Sequence, residues 1–306
     1  VFITITAVIV SMGVKGGVEK ASTLMMPLLI VLSIIIALYS VTRPGAWEGV
    51  KYYFTPHLSD VSPNTLLGAM GQMFYSMSLA MGIMVTYGSY MPDGEDIEKS
   101  VGQIELFDTG VALLAGLMII PAVFAFSGGD SEALNAGPGL MFVTMPKVFA
   151  SMHLGTLIGI VFFLLVFFAA LTSCISLYET VVSILGDRFH MNRRNSCIVT
   201  YIICIVLGLL SAMGYGTLSG IQPLGMAFLD FFDFISNSVL MPIVALLSCL
   251  FLGWVVGIDY IAKEVKKNSS FRREPMFRVM IRWIAPIFLV AILVSSVLCA
   301  LGIISI

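Results

Sequence analysis

The side chains best suited to chemistry in this sequence lie inside or at the ends of apolar runs. The first group is Gln72-Met73-Phe74-Tyr75-Ser76-Met77-Ser78-Leu79-Ala80-Met81-Gly82, with two serines and a glycine near the middle of the run 65–91. Two readings of it are open. The serines bond back to the preceding helical turn, or the helix unwinds there, offering carbonyls to a cation and a helix N-terminus to an anion. The second group is Ala169-Ala170-Leu171-Thr172-Ser173-Cys174-Ile175-Ser176, which sets hydroxyls on neighbouring faces beside small residues. Such a stretch either glues helices together or supplies oxygens to a hard cation such as sodium. The third group is the carboxylates Asp108, Glu179, Asp230 and Asp233, each of which needs a cation, a hydrogen-bond donor or water. Asp230 and Asp233 share a helix face and read either as an interfacial acidic pair or as part of a site. Glu179 finds no role from the sequence.

Other chemistries leave no trace. There is no phosphate-cradling glycine loop, nucleophile elbow or zinc motif. This disfavours ATP-driven transport by the chain alone, and with no nucleophile–base pair visible an enzyme is not expected. All five cysteines lie in apolar runs without disulfide or metal spacing, and the three histidines are scattered.

The elements that must position these groups follow from composition. Of 306 residues, 58% are apolar and 11% charged, and the mean hydropathy is +1.01. A soluble globule of this size would expose large apolar patches. A soluble enzyme, a disordered chain and a basic nucleic-acid binder are therefore excluded, and the chain reads as an all-α, polytopic membrane protein. After an opening stub at 1–12, helices are expected at 24–41, 65–91, 102–126, 155–187, 195–213, 223–257 and 279–306, each suited to crossing a hydrocarbon core. The stub is too short to span, so the chain is expected to begin partway through a helix. Of 16 Lys and Arg residues, 13 fall in one set of alternate loops and helix ends, and only Arg43, Lys51 and Lys147 in the other. The first set is expected to face the cytoplasm. On the opposite side, 127–152 is long enough to be functional and is expected to hold short helices folding back over the bundle, the alternative being an ordinary solvated loop.

At these residues the sequence resembles the neurotransmitter:sodium symporter family, which has the LeuT-type fold. The likeness runs along essentially the whole chain. Its most specific pieces are Gly71–Gly82, then Thr86-Tyr87-Gly88-Ser89-Tyr90, and Phe167-Phe168-Ala169-Ala170-Leu171-Thr172-Ser173. The resemblance implies that the stub is the end of helix 4, that helices 5 to 11 follow, and that helix 6, at 65–91, is discontinuous. It also implies a fragment lacking helices 1 to 3, in a multi-pass plasma (inner) membrane protein.

Carried over by motif, Ser76 and Asp108 resemble ligands of a first sodium ion. Ala169, through its carbonyl, with Thr172 and Ser173, resembles the ligand set of a second. Tyr75, Ser76, Ser78, Met81 and Leu177 would line the pocket for a small amino-acid substrate. Asp233 resembles the external-gate acid and Asp187 the internal-gate acid, with Tyr90 beside the latter. Tyr75 stands where the family usually has Phe, Ala80 where it usually has Gly, and Met81 where a bulkier aromatic is common. These departures imply altered pocket polarity, altered flexibility of the break and a roomier pocket. The implied function is sodium-coupled symport by alternating access, with membrane lipid as surroundings and no nucleic-acid partner. A channel would need a continuous polar stripe, whereas the polar residues here cluster at mid-depth. A non-transporting membrane scaffold would use the hydroxyls only as glue.

Overall fold

The computed structural model describes residues 1–56, 61–128 and 139–300. The described residues form helices joined by turns and irregular links, with no strand among them. Six of the helical segments are long and apolar enough to cross a membrane. The chain forms two compact units, Val1–Ser59 with Leu106–Tyr178, and Asp60–Glu105 with Glu179–Ile306.

The first unit begins with α1 (Phe2–Ser11), a widened π-helical stretch at Val14–Glu19 and α2 (Lys20–Val41), followed by α3 (Ala46–Phe54). A core of Leu29 and Ile36 from α2 meets Met118, Ala122 and Val123, then Met145, Val148, Phe149, Ile158 and Phe162. Lipid is as apolar as these side chains, so burial from water does not hold such helices together. Close packing and interhelical hydrogen bonds do. The Ser40 hydroxyl donates to the Met118 carbonyl across helices at 2.8 Å. Gly49 lets α3 lie against the backbone of Pro121, where a Cβ would collide. Residues 129–138 lie outside the described residues; α7 (Met145–Ser151) follows them and closes this core with Met145, Val148 and Phe149 buried.

The second unit contains the interrupted helix. In α4 (Pro63–Ser76) the N-terminus is capped reciprocally. The Ser62 hydroxyl accepts from the Thr65 N–H at 3.1 Å, and the Ser62 N–H donates to the Thr65 hydroxyl at 3.3 Å. The chain then unwinds through Met77–Gly82 and re-enters a helix as α5 (Ile83–Ser89). Ser78 (φ 54°), Ala80 (φ 62°) and Gly82 (φ 79°) all take left-handed backbone. For the two that carry a Cβ this costs of order 1–3 kcal/mol each. The discontinuous helix expected at 65–91 is thus present.

Two long helices contribute to both units: α6 (Ile97–Ser127) and α8 (Gly155–Phe189). The second unit continues with α9 (Arg193–Met213) and α10 (Phe228–Asp233), joined through π-helical turns at Phe234–Leu240 to α11 (Met241–Leu250). Further wide turns at Phe251–Gly257 lead to α12 (Ile258–Val265), and α13 (Glu274–Val279) runs through Met280–Ile284 into α14 (Ala285–Ala300).

Helix ends differ from those expected from apolar runs. The run 223–257 does not begin as a spanning helix. Pro223–Gly225 is a single tight turn, with Leu224 (φ 53°) and Gly225 (φ 77°) left-handed, and the long helix starts at Phe228. Polar turns extend others. Helix α9 starts at Arg193 because the Asn192 side chain accepts from the Asn195 N–H at 2.9 Å. Helix α13 starts at Glu274, paired with Arg278 one turn on at 2.7 Å. Residues 301–306 of the last expected span lie outside the described residues.

Gly82 combines positive φ with a close neighbour, since a Cβ there would stand 3.0 Å from the Thr180 methyl of α8. Gly82→Ala is expected to destabilise by about 1–2 kcal/mol. Gly88→Ala, where a Cβ meets nothing, is expected to be neutral or stabilising, as Ala is favoured over Gly inside a helix. Thermal unfolding of both variants in detergent checks the contrast.

Candidate functional site

The site is built around the interruption. Where α4 ends, its last carbonyls lose their regular partners, and one bond from three residues on and one from five residues on replace some of them. The Ser78 N–H donates to the Tyr75 carbonyl and the Leu79 N–H to the Phe74 carbonyl, both at 3.0 Å. The C-terminal end of a helix carries partial negative charge, so this end of α4 suits a cation. Ser76 is the last residue of α4, and Ser78 and Met81 lie in the unwound stretch.

Beside α4 lies a cavity of about 320 Å³, lined among others by Gln72, Tyr75, Asp233, Asn237, Ser238 and Ser296. The structure therefore brings Tyr75 and Asp233, assigned separately in the sequence, to one cavity, whose lining also includes the apolar Phe74, Met241 and Leu289. The Asn237 amide donates to the Asp233 carboxylate at 2.6 Å. Asp230, its neighbour three residues back, is not among the residues lining that cavity. Ser76, Ser78 and Met81 do not line it either.

In the first unit, Ala169, Thr172 and Ser173 lie on α8, which is unbroken there. The buried Thr172 hydroxyl donates to the Ala169 carbonyl at 3.0 Å, and the Ser176 hydroxyl to the Thr172 carbonyl at 3.2 Å. Two oxygens about 3 Å apart can share one hard cation with metal–oxygen bonds of about 2.4 Å. The same bonds are also what hydroxyls in any apolar helix do. Ser173 and Leu177 are exposed on the same helix, and Asp108 is half-buried on α6. Asp187 is exposed near the end of α8.

The best-satisfied buried polar cluster is one that sequence reasoning missed. Glu179 is fully buried, 0% exposed, on α8. Its carboxylate accepts both guanidinium arms of Arg193, at 3.1 and 2.5 Å, and the Tyr90 hydroxyl at 2.8 Å. Bidentate, charge-assisted bonds of this kind offset the cost of taking a carboxylate out of water. The cluster ties the end of α5 to α8 and to the first turn of α9. The signal available was Arg193 heading the next span, on the side rich in Lys and Arg, but spacing alone could not bring it to Glu179.

Truncating Arg193 leaves that charge uncompensated. Arg193→Ala is expected to destabilise by about 3 kcal/mol, the low end of the range for broken buried pairs because Arg193 keeps some solvent. Tyr90→Phe removes one bond to a charged acceptor and is expected to cost roughly 1–2 kcal/mol. Chemical unfolding in detergent reads both, and a smaller loss for Arg193→Ala than for Tyr90→Phe contradicts the assignment.

Comparison with known proteins agrees with this architecture. The family model described as the sodium:neurotransmitter symporter family matches residues 1–302. An uncharacterized sodium-dependent transporter of Bacillus subtilis, YhdH, is 35% identical over 299 residues, covering 97% of this chain and 65% of the relative. An uncharacterized sodium-dependent transporter of Methanocaldococcus jannaschii is 32% identical over 94% of this chain and 58% of its own length. The chain thus spans about three-fifths to two-thirds of these relatives. Among solved structures, MhsT in complex with L-phenylalanine superposes with a TM-score of 0.84 at 35% identity, covering 96% of this chain and 66% of that one.

Proposed function

The chain belongs to the sodium:neurotransmitter symporter family, and on that premise we propose that the whole protein is a sodium-coupled symporter of an amino acid, working by alternating access. It is a multi-pass integral membrane protein. The observation that carries the proposal is the unwound Met77–Gly82 stretch with three left-handed residues. Such backbone within a membrane helix is tolerated where it is buried in protein or lines a cavity, and there it offers oxygens to ions. That MhsT was solved with L-phenylalanine supports an amino acid as the cargo class.

In this reading Ser76 and Asp108 serve a first sodium ion, and Ala169, Thr172 and Ser173 a second. Tyr75, Ser76, Ser78, Met81 and Leu177 contact the substrate, with Tyr75 adding a hydroxyl to the pocket. Asp233 controls the external side, and Asp187 with Tyr90 the internal side. Placing cations near a substrate carboxylate makes each raise the affinity for the other, so the sodium gradient drives uptake.

Linkage makes this quantitative. Sodium is expected to tighten substrate binding by a factor within roughly 5–150, and substrate to tighten sodium binding by the same factor. Calorimetry on the full-length protein with a panel of amino acids measures both, and equal substrate affinity with and without sodium rejects the proposal. Thr172→Ala combined with Ser173→Ala is expected to raise the sodium concentration needed for half-maximal binding. An unchanged value returns those hydroxyls to helix glue and favours a non-transporting scaffold.

A further inference from the structure

The short helix α5 is held differently at its two ends. Its first residue follows the unwound stretch, while its last leads into segment 90–96, which joins it to α6. This segment and the start of α6 are fastened to the loop between α12 and α13. The Asn268 amide donates to the backbone carbonyls of Asp93 and of Glu95, the latter at 3.3 Å. The Glu98 carboxylate then accepts the backbone N–H groups of two successive loop residues, Arg272 at 2.9 Å and Arg273 at 3.3 Å. The Arg273 side chain returns to Glu105 on α6 at 2.6 Å. All of these residues belong to the second unit.

The receiving loop is itself stapled, by Lys266–Glu274 at 2.5 Å and Lys267–Glu264 at 2.5 Å. Asp96 caps α6 through the Lys99 N–H at 3.0 Å. Two internally braced pieces are therefore joined through a few polar contacts near solvent. These contacts differ in kind from the Glu179 cluster. Glu179 is fully buried, so its bonds cannot be exchanged for bonds to water without rearranging the fold. The bonds of the outer fastening are made between partly or fully exposed groups, where water can replace each partner as it leaves. Contacts of the second kind can open and close while the fold persists.

We propose that Glu98 is a positioning residue for transport: its carboxylate clasps the loop 266–273 to the start of α6 in the conformation seen here, and release of this clasp sets how fast segment 91–96 and the start of α6 move. The inference rests on the alternating-access reading above. Its specific content is that one side chain, remote from the sodium and substrate ligands, acts on rate and leaves affinity alone. Because the acceptor role matters more than the charge, Gln at position 98 keeps one oxygen for the loop N–H groups and is the milder change, whereas Ala removes both.

Hydrogen exchange of the full-length protein tests the clasp without reference to transport, because the Arg272 and Arg273 amides are the ones Glu98 protects. Glu98→Ala is expected to speed exchange in peptides covering 93–98 and 268–274 by roughly tenfold, with Glu98→Gln intermediate and with peptides from α2 and α8 unchanged. In proteoliposomes the same variant is expected to change the maximal uptake rate severalfold while the half-saturating substrate and sodium concentrations stay as in the wild type. Unchanged exchange in 268–274 overturns the clasp. Faster exchange throughout the chain also overturns it, because Glu98 is then a general stabilising residue. Altered half-saturation at constant maximal rate overturns the positioning role. Local exchange as expected, with no uptake by the wild type under a sodium gradient, rejects the transport reading and the rate role with it, but leaves the clasp as a measured contact.

Discussion

Inside a bilayer a backbone N–H or C=O without a protein partner has no water to turn to, and each such group costs several kcal/mol. Six successive residues, Met77–Gly82, depart from regular helix in the middle of an apolar run. Three features of the second unit accommodate that departure. The capped start of α4 fixes where its helix begins. Bonds from Ser78 and Leu79 back into α4, three and five residues long, take up part of the lost ladder. Gly82 gives α5 the close approach to Thr180 that a side chain would block. Strain at Ser78 and Ala80 persists because these surroundings leave the chain no easier course.

The anchoring of α5 extends this logic. Glu179 is fully buried, and Arg193 and Tyr90 together meet its oxygens. A pair of this kind contributes little net stability compared with a packed apolar substitute, and its value lies in fixing one arrangement. Here the arrangement fixed is the meeting of α5, α8 and α9. The interrupted helix is thereby anchored at the end of α5, beyond the unwound stretch.

How much of this was legible in the sequence depends on which physical signal each feature emits. Apolar runs emit a strong one, and the helical membrane class, the discontinuous helix and the family all followed from it and from the motif around Ser76–Gly82. Helix ends emit a weaker one. The expectation at 223–257 treated Pro223-Leu224-Gly225 as part of a span because its residues are apolar, although proline followed closely by glycine is a turn signal. At 193 and 274 the helices run past the apolar residues into charged turns, where Asn192 caps one and a Glu274–Arg278 pair braces the other. Glu179 was opaque for a different reason. Its partners come from two other helices, and no local spacing encodes that meeting. Asp233 and Tyr75 were each recognised by motif, but their shared cavity is a property of how α4 and the α10–α11 segment pack.

The central claim is that the interruption at Met77–Gly82 is where a monovalent cation meets protein oxygens. The most direct measurement is an anomalous diffraction map of the full-length protein, crystallised with substrate and with thallium(I) as the sodium surrogate. The account predicts an anomalous peak within bonding reach of oxygens from Ser76 to Ser78, with the chain still unwound. A continuous helix through 77–82, or thallium bound only away from it, contradicts the account.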